Sequence, residues 1–566
     1  MSLRFLNTSQ VRAMVVLIVF SCTMTLEASA QMLPYGSETK VNTTTVGNQS
    51  DPAVAMDASG NYVVVWASED QDGEDFGIYF QRYDNTGAAV GVETQANATT
   101  AFGQRNPDVA MSATGEFAIC WQSNFEDTDG LGVWFAVYDN SGVLVQRNRV
   151  NDSSADEQMN PKVAMRHDGY FVVGYSDDGQ DGDGVGISYQ PFSTTGVAQI
   201  GESVANPTTT GYQALPDVAM DSAGNYTWVW QTVGQDGDGA GIFGQRYDDS
   251  YNAIGTEFQV NTTTTGNQQE VAIAKNYNGD EFIVWASYAQ DGDHYGIFGQ
   301  LYDNTGAAVG GEIAINTTTS GVQNTPHVSQ SGNGWVVSWT SYNQDGQYAG
   351  VYAQSVLSNG TLAGSEVLVN TRTADYQQFP CVAGNDDVDS IVIAWQDGLR
   401  QSTSSHDGDD YGVYTQSFST VDVTDPVAVC QNITVFLDGS GNVTITAAEV
   451  DGGSSDDVGI TSMILDNSSF TCGDLGINVV NLTVTDAAGN SDMCAAAVTV
   501  VDSTSPVVLC QDITIYLDGA GSASIVAADI DAGSSDNCGS VTLSASATSF
   551  TCADAGPNNV TLTVDD

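Results

Sequence analysis

The chain has 566 residues, with 70 Asp plus Glu against 13 Lys plus Arg and a formal net charge of -57. Such a surface repels phosphate backbones and anionic lipid heads, which excludes nucleic acid as a partner. Acidity does not mean disorder here, because 41% of residues are hydrophobic and 9 Trp, 23 Tyr and 19 Phe are available to build cores.

Residues 1–30 read as a secretory signal peptide: Arg4 and Arg12 supply a positive start, Ala13 to Phe20 is apolar, and Ala28-Ser29-Ala30 offers a small-residue cleavage site. The apolar run is too short for a bilayer span, and no later stretch approaches about 18 apolar residues. The expectation is a secreted or cell-surface protein with no membrane span after cleavage. Six cysteines crowd between Cys430 and Cys552, and export permits disulfides there.

Residues 31–420 are built from an internal repeat. A buried-type aromatic followed by a polar, glycine-rich loop recurs at Trp66, Trp121, Tyr175, Trp230, Trp285, Trp339 and Trp395, at intervals of 54 to 56 residues. Each unit reads as four strands, of the types "PDVAMD", "NYVVVWAS", "GIFGQRYD" and "GTEFQVNT", separated by turns. Four antiparallel strands per unit with no helical period predict propeller blades.

The phase of the repeat predicts ring closure. A fourth-strand segment, Glu38–Thr44, precedes any complete unit, and the seventh unit ends after its third strand, Gly412–Phe418. The two balance if the first segment completes the last blade, which removes the edges that an open solenoid leaves. The loops after the second and fourth strands then share one face.

Those loops carry the candidate ligands. Six and eight residues after each aromatic stand Asp72 and Glu74, Asp127 and Asp129, Asp181 and Asp183, Asp236 and Asp238, and Asp291 and Asp293. The sixth unit keeps Asp345 alone, and the seventh has Asp407 and Asp409 after a six-residue insertion. Paired carboxylates in a glycine-rich loop are hard oxygen ligands, and calcium is the ion they suit. Asp-Gly pairs also simply make turns, and that reading stays open. No G-x-S-x-G, H-E-x-x-H or phosphate-binding loop is present. The four His (His167, His294, His327, His406) occupy unrelated repeat positions, and Arg82 and Arg246 read as packing residues. Trp134, Tyr288, Tyr295, Tyr342 and Tyr348 are candidate sugar platforms.

From Val421 the pattern changes to two copies of an all-β unit of about 80 residues, the size of an immunoglobulin-like sandwich. The copies span 421–502 and 503–566, and the second stops before the segment that ends the first, as in a fragment of a longer polypeptide. Asp425-Pro426, Cys430, "LTVTDAAGN" (Leu482–Asn490) and Cys494 resemble the hyalin-repeat (HYR) family. That resemblance implies an immunoglobulin-like fold, extracellular adhesion or spacing, and a Cys430–Cys494 disulfide, with Cys538 and Cys552 left to pair in the second copy. Val458 stands where Cys538 does, so Cys472 has no obvious mate. The "QDGDGxGIFGQRYD" units resemble arrays in large secreted bacterial surface proteins.

The sequence therefore predicts an all-β protein: a seven-bladed β-propeller followed by immunoglobulin-like β-sandwich modules. Acid pairs repeated in every blade argue against one asymmetric catalytic site. The expected function is non-enzymatic adhesion or glycan binding, with an extracellular glycan or surface protein as partner and calcium in the loops. The alternative is a carbohydrate-active enzyme, a glycoside hydrolase or lyase, with an acidic cleft on the propeller face.

Overall fold

β-Branched and aromatic runs such as Tyr62–Glu69 are buried on both faces, and in the computed structural model they form the second strand of a four-stranded antiparallel sheet. The structure describes residues 32–566 apart from 127–129, 153–156, 333, 386–389, 400–405, 407, 420–424, 457–458 and 487–488. The signal-like segment 1–30 lies outside the described residues, as do Asp127, Asp129 and Asp407. The chain divides into two compact units, 1–420 and 421–566.

In the first unit the strands Gln49–Met56, Tyr62–Glu69, Phe76–Tyr83 and Ala89–Gln95 pair in chain order, and four further sheets repeat that meander. An eight-stranded sheet holds the remainder, two four-stranded sets joined by a single parallel bridge from Ala349 to Tyr376. One of those sets is completed from the other end of the unit. Leu33–Lys40 runs antiparallel to Tyr411–Ser419, with Leu33 opposite Ser419 and Lys40 opposite Tyr414. The closing strand thus begins five residues before the segment expected from the repeat. First strands neighbour one another round the ring, Tyr376–Gly384 lying beside Gln49–Met56. The result is an all-β, closed, multi-bladed propeller-like ring.

The seven repeat aromatics are buried in the blades. Between blades the link is an amide pair. Asn97 Oδ1 accepts from the backbone N–H of Ile78, and its Nδ2 donates to Oε1 of Gln104 on the next first strand. Asn42 does the same at the closure, accepting from Val413 N–H at 2.8 Å and donating to Gln49.

Each first strand also carries a bulge. The residue before the strand's proline, or before Val271 in one copy, is left-handed: Asp51, Asn106, Asn160, Leu215, Glu270, Thr325 and Phe379 have φ between 49° and 55°. A non-glycine residue holds that conformation only when its surroundings over-determine it. The preceding blade supplies a partner in several copies: the amide N–H donates from Asp51 to Gln396, from Asn160 to Gln122, from Leu215 to Ser176 and from Phe379 to Thr340.

In the second unit, Ile433–Phe436, Ser491–Val501, Gly476–Asp486 and Ile460–Leu465 form a four-stranded sheet over a core that includes Phe470, Leu482 and Val498. A smaller core of Ile525, Ile530, Phe550 and Leu562 serves the following copy. Cys430 and Cys494 are bonded. Cys538 is not bonded to Cys552; its partner is Cys472 of the preceding copy. The reason is positional. Cys552 occupies in its own copy the place Cys472 has in the first, each sulfur 3.7 Å from the carbonyl of a turn glycine, Gly521 or Gly441.

Removing residues 32–40 would leave Tyr411–Ser419 as an open edge. The shortened chain is expected to melt on the order of 5 °C lower and to aggregate on heating, as read by scanning calorimetry and light scattering.

Candidate functional site

The first strands run from the loop face towards the opposite turns, so the left-handed residues form a ring at the loop-face mouth of the central channel. Around it stand two carboxylic acids (Asp51, Glu270), two amides (Asn106, Asn160), a hydroxyl (Thr325) and two exposed apolar groups, Leu215 at 39% and Phe379 at 44% exposure. Neighbours in the ring touch: Asn106 Nδ2 donates to Asn160 Oδ1 at 3.2 Å, and the Thr325 N–H donates to Glu270 Oε2 at 2.7 Å. Burial pushes both carboxyls up from the usual range. The Ser50 hydroxyl and the Arg105 guanidinium pull Asp51 back, whereas Glu270 meets only neutral donors, Thr325 N–H and the Gln269 amide.

Two residues deeper, the same strands present Asp108, Lys162, Asp217, His327 and Cys381. Lys162 Nζ lies 3.8 Å from Asp108 and 3.9 Å from Asp217. Burial alone would lower the Lys162 ammonium, but these two carboxylates hold it above its usual range. Burial pushes Asp217 up to about 6 against the pull of Lys162, and burial with Lys162 nearby brings His327 down to about 3. Each of three side chains also binds the next blade: Asp108 accepts from Val163 N–H, Asp217 from Ile273 N–H and His327 Nδ1 from Val382 N–H. The sequence reading missed this ring. Its signal is the alignment of His327 with Asp108, Lys162 and Asp217 at one repeat position.

The loop carboxylates are placed differently from one another within each pair. The first member turns back under its loop: Asp72, Asp181, Asp236 and Asp291 accept from Asn97, Asn206, Asn261 and Asn316, while Asp345 accepts from Gln347 N–H. The second reaches the following inter-blade loop, where Asp183, Asp238, Asp293 and Asp409 accept from the N–H of Gly211, Gly266, Gly321 and Gly47. Glu74 donates its own N–H to Asp72. Arg82 binds the Asn140 and Ser141 carbonyls of the next blade, and Arg246 pairs with buried Glu281. Among the platform residues, Tyr288 is exposed beside Tyr295 and Tyr348 is exposed and stacked on Tyr376, whereas Trp134 packs against a blade core.

Two rim clusters break the repeat. Two residues after the aromatic, most blades have Ser or Thr, but two have Asp177 and Asp397. Asp177 faces Glu202, and burial with that neighbour raises its carboxyl to about 7, while Tyr175 donates to Glu202 at 2.6 Å. Asp397, fully buried, meets His406 at 3.0 Å; burial raises it, and His406, Gln377 and Arg372 pull it back. Acid and His groups able to hold a metal ion occur at Glu38, Asp397 and His406, and at Asp502, Asp536 and Asp566.

An Asp raised from 3.8 to about 7 stabilises the fold fully below pH 4 and loses that contribution as pH rises to about 7. Asp177→Ser is therefore expected to raise stability at pH 8 by ~1–3 kcal/mol, with the gain vanishing near pH 4, as read by denaturant melts. The loop carboxylates already hold internal donors. Chelated protein is expected to melt within about 1 °C of the same temperature with and without millimolar calcium.

No family model matches the chain. No curated protein matches it either. Among solved structures, it is similar to a protein of unknown function from Dyadobacter fermentans, at 9% identity over 69% of this chain and 99% of that one, TM-score 0.43. An α-L-arabinofuranosidase from Fusarium graminearum matches at 10% identity over 67% and 97%, TM-score 0.38. An α-L-arabinanase from Penicillium chrysogenum matches at 11% identity over 68% and 98%, TM-score 0.39. Among the described residues no helix is long and apolar enough to cross a membrane. The expectation of a non-enzymatic adhesion or glycan-binding protein, which rested on acids repeated in every blade, is corrected on the rim geometry. Among the described residues, the acid and His cluster of Glu38, Asp397 and His406 occurs in one blade alone. Repetition of the loop acids therefore does not argue against a single site.

Proposed function

We propose that the chain is an exported carbohydrate-active enzyme that hydrolyses glycosidic bonds at the channel mouth. In this reading the first unit is a seven-bladed propeller, with the eight-stranded sheet counted as two blades, and the second is a pair of hyalin-like immunoglobulin modules. The observation that carries it is the left-handed ring, which gathers two acids, two amides and an exposed aromatic at a place that occurs once per molecule. Hydrolysis needs one carboxyl that keeps its proton and one that is ionised. Glu270, whose oxygen accepts from the neutral Thr325 N–H, is assigned as the general acid, and Asp51, beside the Ser50 hydroxyl and the Arg105 guanidinium, as the base.

The step balances with water alone. Glu270 gives its proton to the glycosidic oxygen as the bond to the anomeric carbon breaks. Asp51 takes a proton from the water whose oxygen bonds that carbon. Asn106 and Asn160 bind sugar hydroxyls, and the face of Phe379 stacks on a sugar ring, which suits an amphipathic glycan. Arabinan is one member of the substrate panel, after the arabinofuranosidase and the arabinanase named above.

Reducing-end release from a polysaccharide panel tests the reading. Glu270→Gln and Asp51→Asn are each expected to lower kcat at least ~100-fold. Phe379→Ala is expected to raise KM, and Asp84→Asn, on the opposite face, to change neither. Glycan binding without turnover, or full turnover by Glu270→Gln, would overturn it.

A further inference from the structure

Three rim positions recur in four of the seven repeats: a hydroxyl residue two after the aromatic, a Gln just before the first loop Asp, and a Glu on the outer strand. In one blade they form a relay, Ser341 Oγ donating to Gln344 Oε1 and Gln344 Nε2 to Glu366 Oε1, both at 2.6 Å. Gln71 and Gln290 likewise donate to Glu93 and Glu312. In the closing blade the same three positions hold Asp397, His406 and Glu38. The hydroxyl and the amide have been replaced together, by a carboxylate and an imidazole.

The geometry of the replaced trio is that of a ligand set. His406 Nδ1 is 3.0 Å from Asp397 Oδ2 and 3.7 Å from Glu38 Oε1, and the three atoms lie within 4.8 Å of one another. Each carboxylate has its other oxygen fixed elsewhere. Glu38 Oε2 accepts from the N–H and hydroxyl of Thr371, each at 2.7 Å, and Asp397 Oδ1 from Arg372 and Gln377, each at 3.2 Å. The His406 ring is held parallel to Tyr414 at 4.2 Å. Such outer contacts orient ligands.

A second observation points to a cation. The Glu38 side chain is only 6% exposed, and its Oε1, aimed at His406 and Asp397, is buried with no hydrogen-bond partner. A buried acceptor left without a donor is costly, and the Gln that donates to the outer-strand Glu in three other blades is absent here. His406, at 32% side-chain exposure, leaves an entry path.

We propose that Glu38, Asp397 and His406 bind a divalent transition-metal ion of the zinc class. Two carboxylates and an imidazole suit zinc, with a fourth position open to water; calcium does not take an imidazole ligand set. Because Glu38 lies on the closing strand, Asp397 on the sheet it completes and His406 between the strands Ile391–Gly398 and Tyr411–Ser419 of that sheet, the ion locks the first strand of the ring to its last blade.

The test uses the full chain, freed of metal by chelation and with Cys510 and Cys552 alkylated so that exposed thiols take up no zinc. Titration calorimetry with zinc is expected to show one equivalent bound, and saturating zinc to raise Tm on the order of 5 °C. Calcium is expected to do neither. The double variant Asp397→Ser, His406→Gln restores the relay of the neighbouring blades, so it is expected to fold while binding zinc at least ~10-fold more weakly. Wild-type protein that binds no zinc saturably up to 1 mM, or a double variant that binds as tightly as wild type, would overturn the proposal and leave His406 as a bridge between two carboxylates.

Discussion

The ring depends on one amide contact repeated between blades. An Asn at the end of each outer strand accepts a backbone N–H of its own blade and donates to a buried Gln on the next first strand, from Asn42–Gln49 to Asn370–Gln377. Both partners are buried, so the bond is formed where an unmade one is expensive. Asn42 lies just beyond the strand that closes the ring, and it makes this contact to a third strand more than 370 residues away. Closure is therefore not a separate device but the same interface made by chain ends instead of neighbours.

That uniform interface leaves the axis free to vary. The bulge before each proline is held by the backbone and by side chains of the preceding blade, so the residue at its tip need only tolerate a left-handed φ. Strain of this kind is sustained by the surrounding ring. Asp51, Asn106, Leu215 and Phe379 share one backbone geometry and have four different chemistries. A repeat that is rigid at its seams and variable at its tips can build a site that is asymmetric although its scaffold is not.

The loop acids illustrate the converse. They look like the chemistry of the protein because they are numerous, yet they spend their oxygens on Asn side chains and on glycine N–H groups of the inter-blade loops. The periodic carboxylates of these glycine-rich loops thus tie each blade to the loop that follows it. The informative acids are those that interrupt the period, Asp177, Asp397, Asp51 and Glu270, where burial raises a carboxyl against the pull of the donors around it.

The sequence alone determined the all-β class, the repeat and its closure by the first strand, because strand patterning has a local period and an unpaired outer strand is a matter of counting. It also placed the Cys430–Cys494 bond through family resemblance. Only the tertiary structure brought His406 to Glu38 and Cys538 to Cys472, since these contacts join residues that are distant along the chain or belong to successive copies. The left-handed mouth was equally hidden. A residue before proline ordinarily reads as extended, and what overrides that preference is the neighbouring blade, which no local window contains.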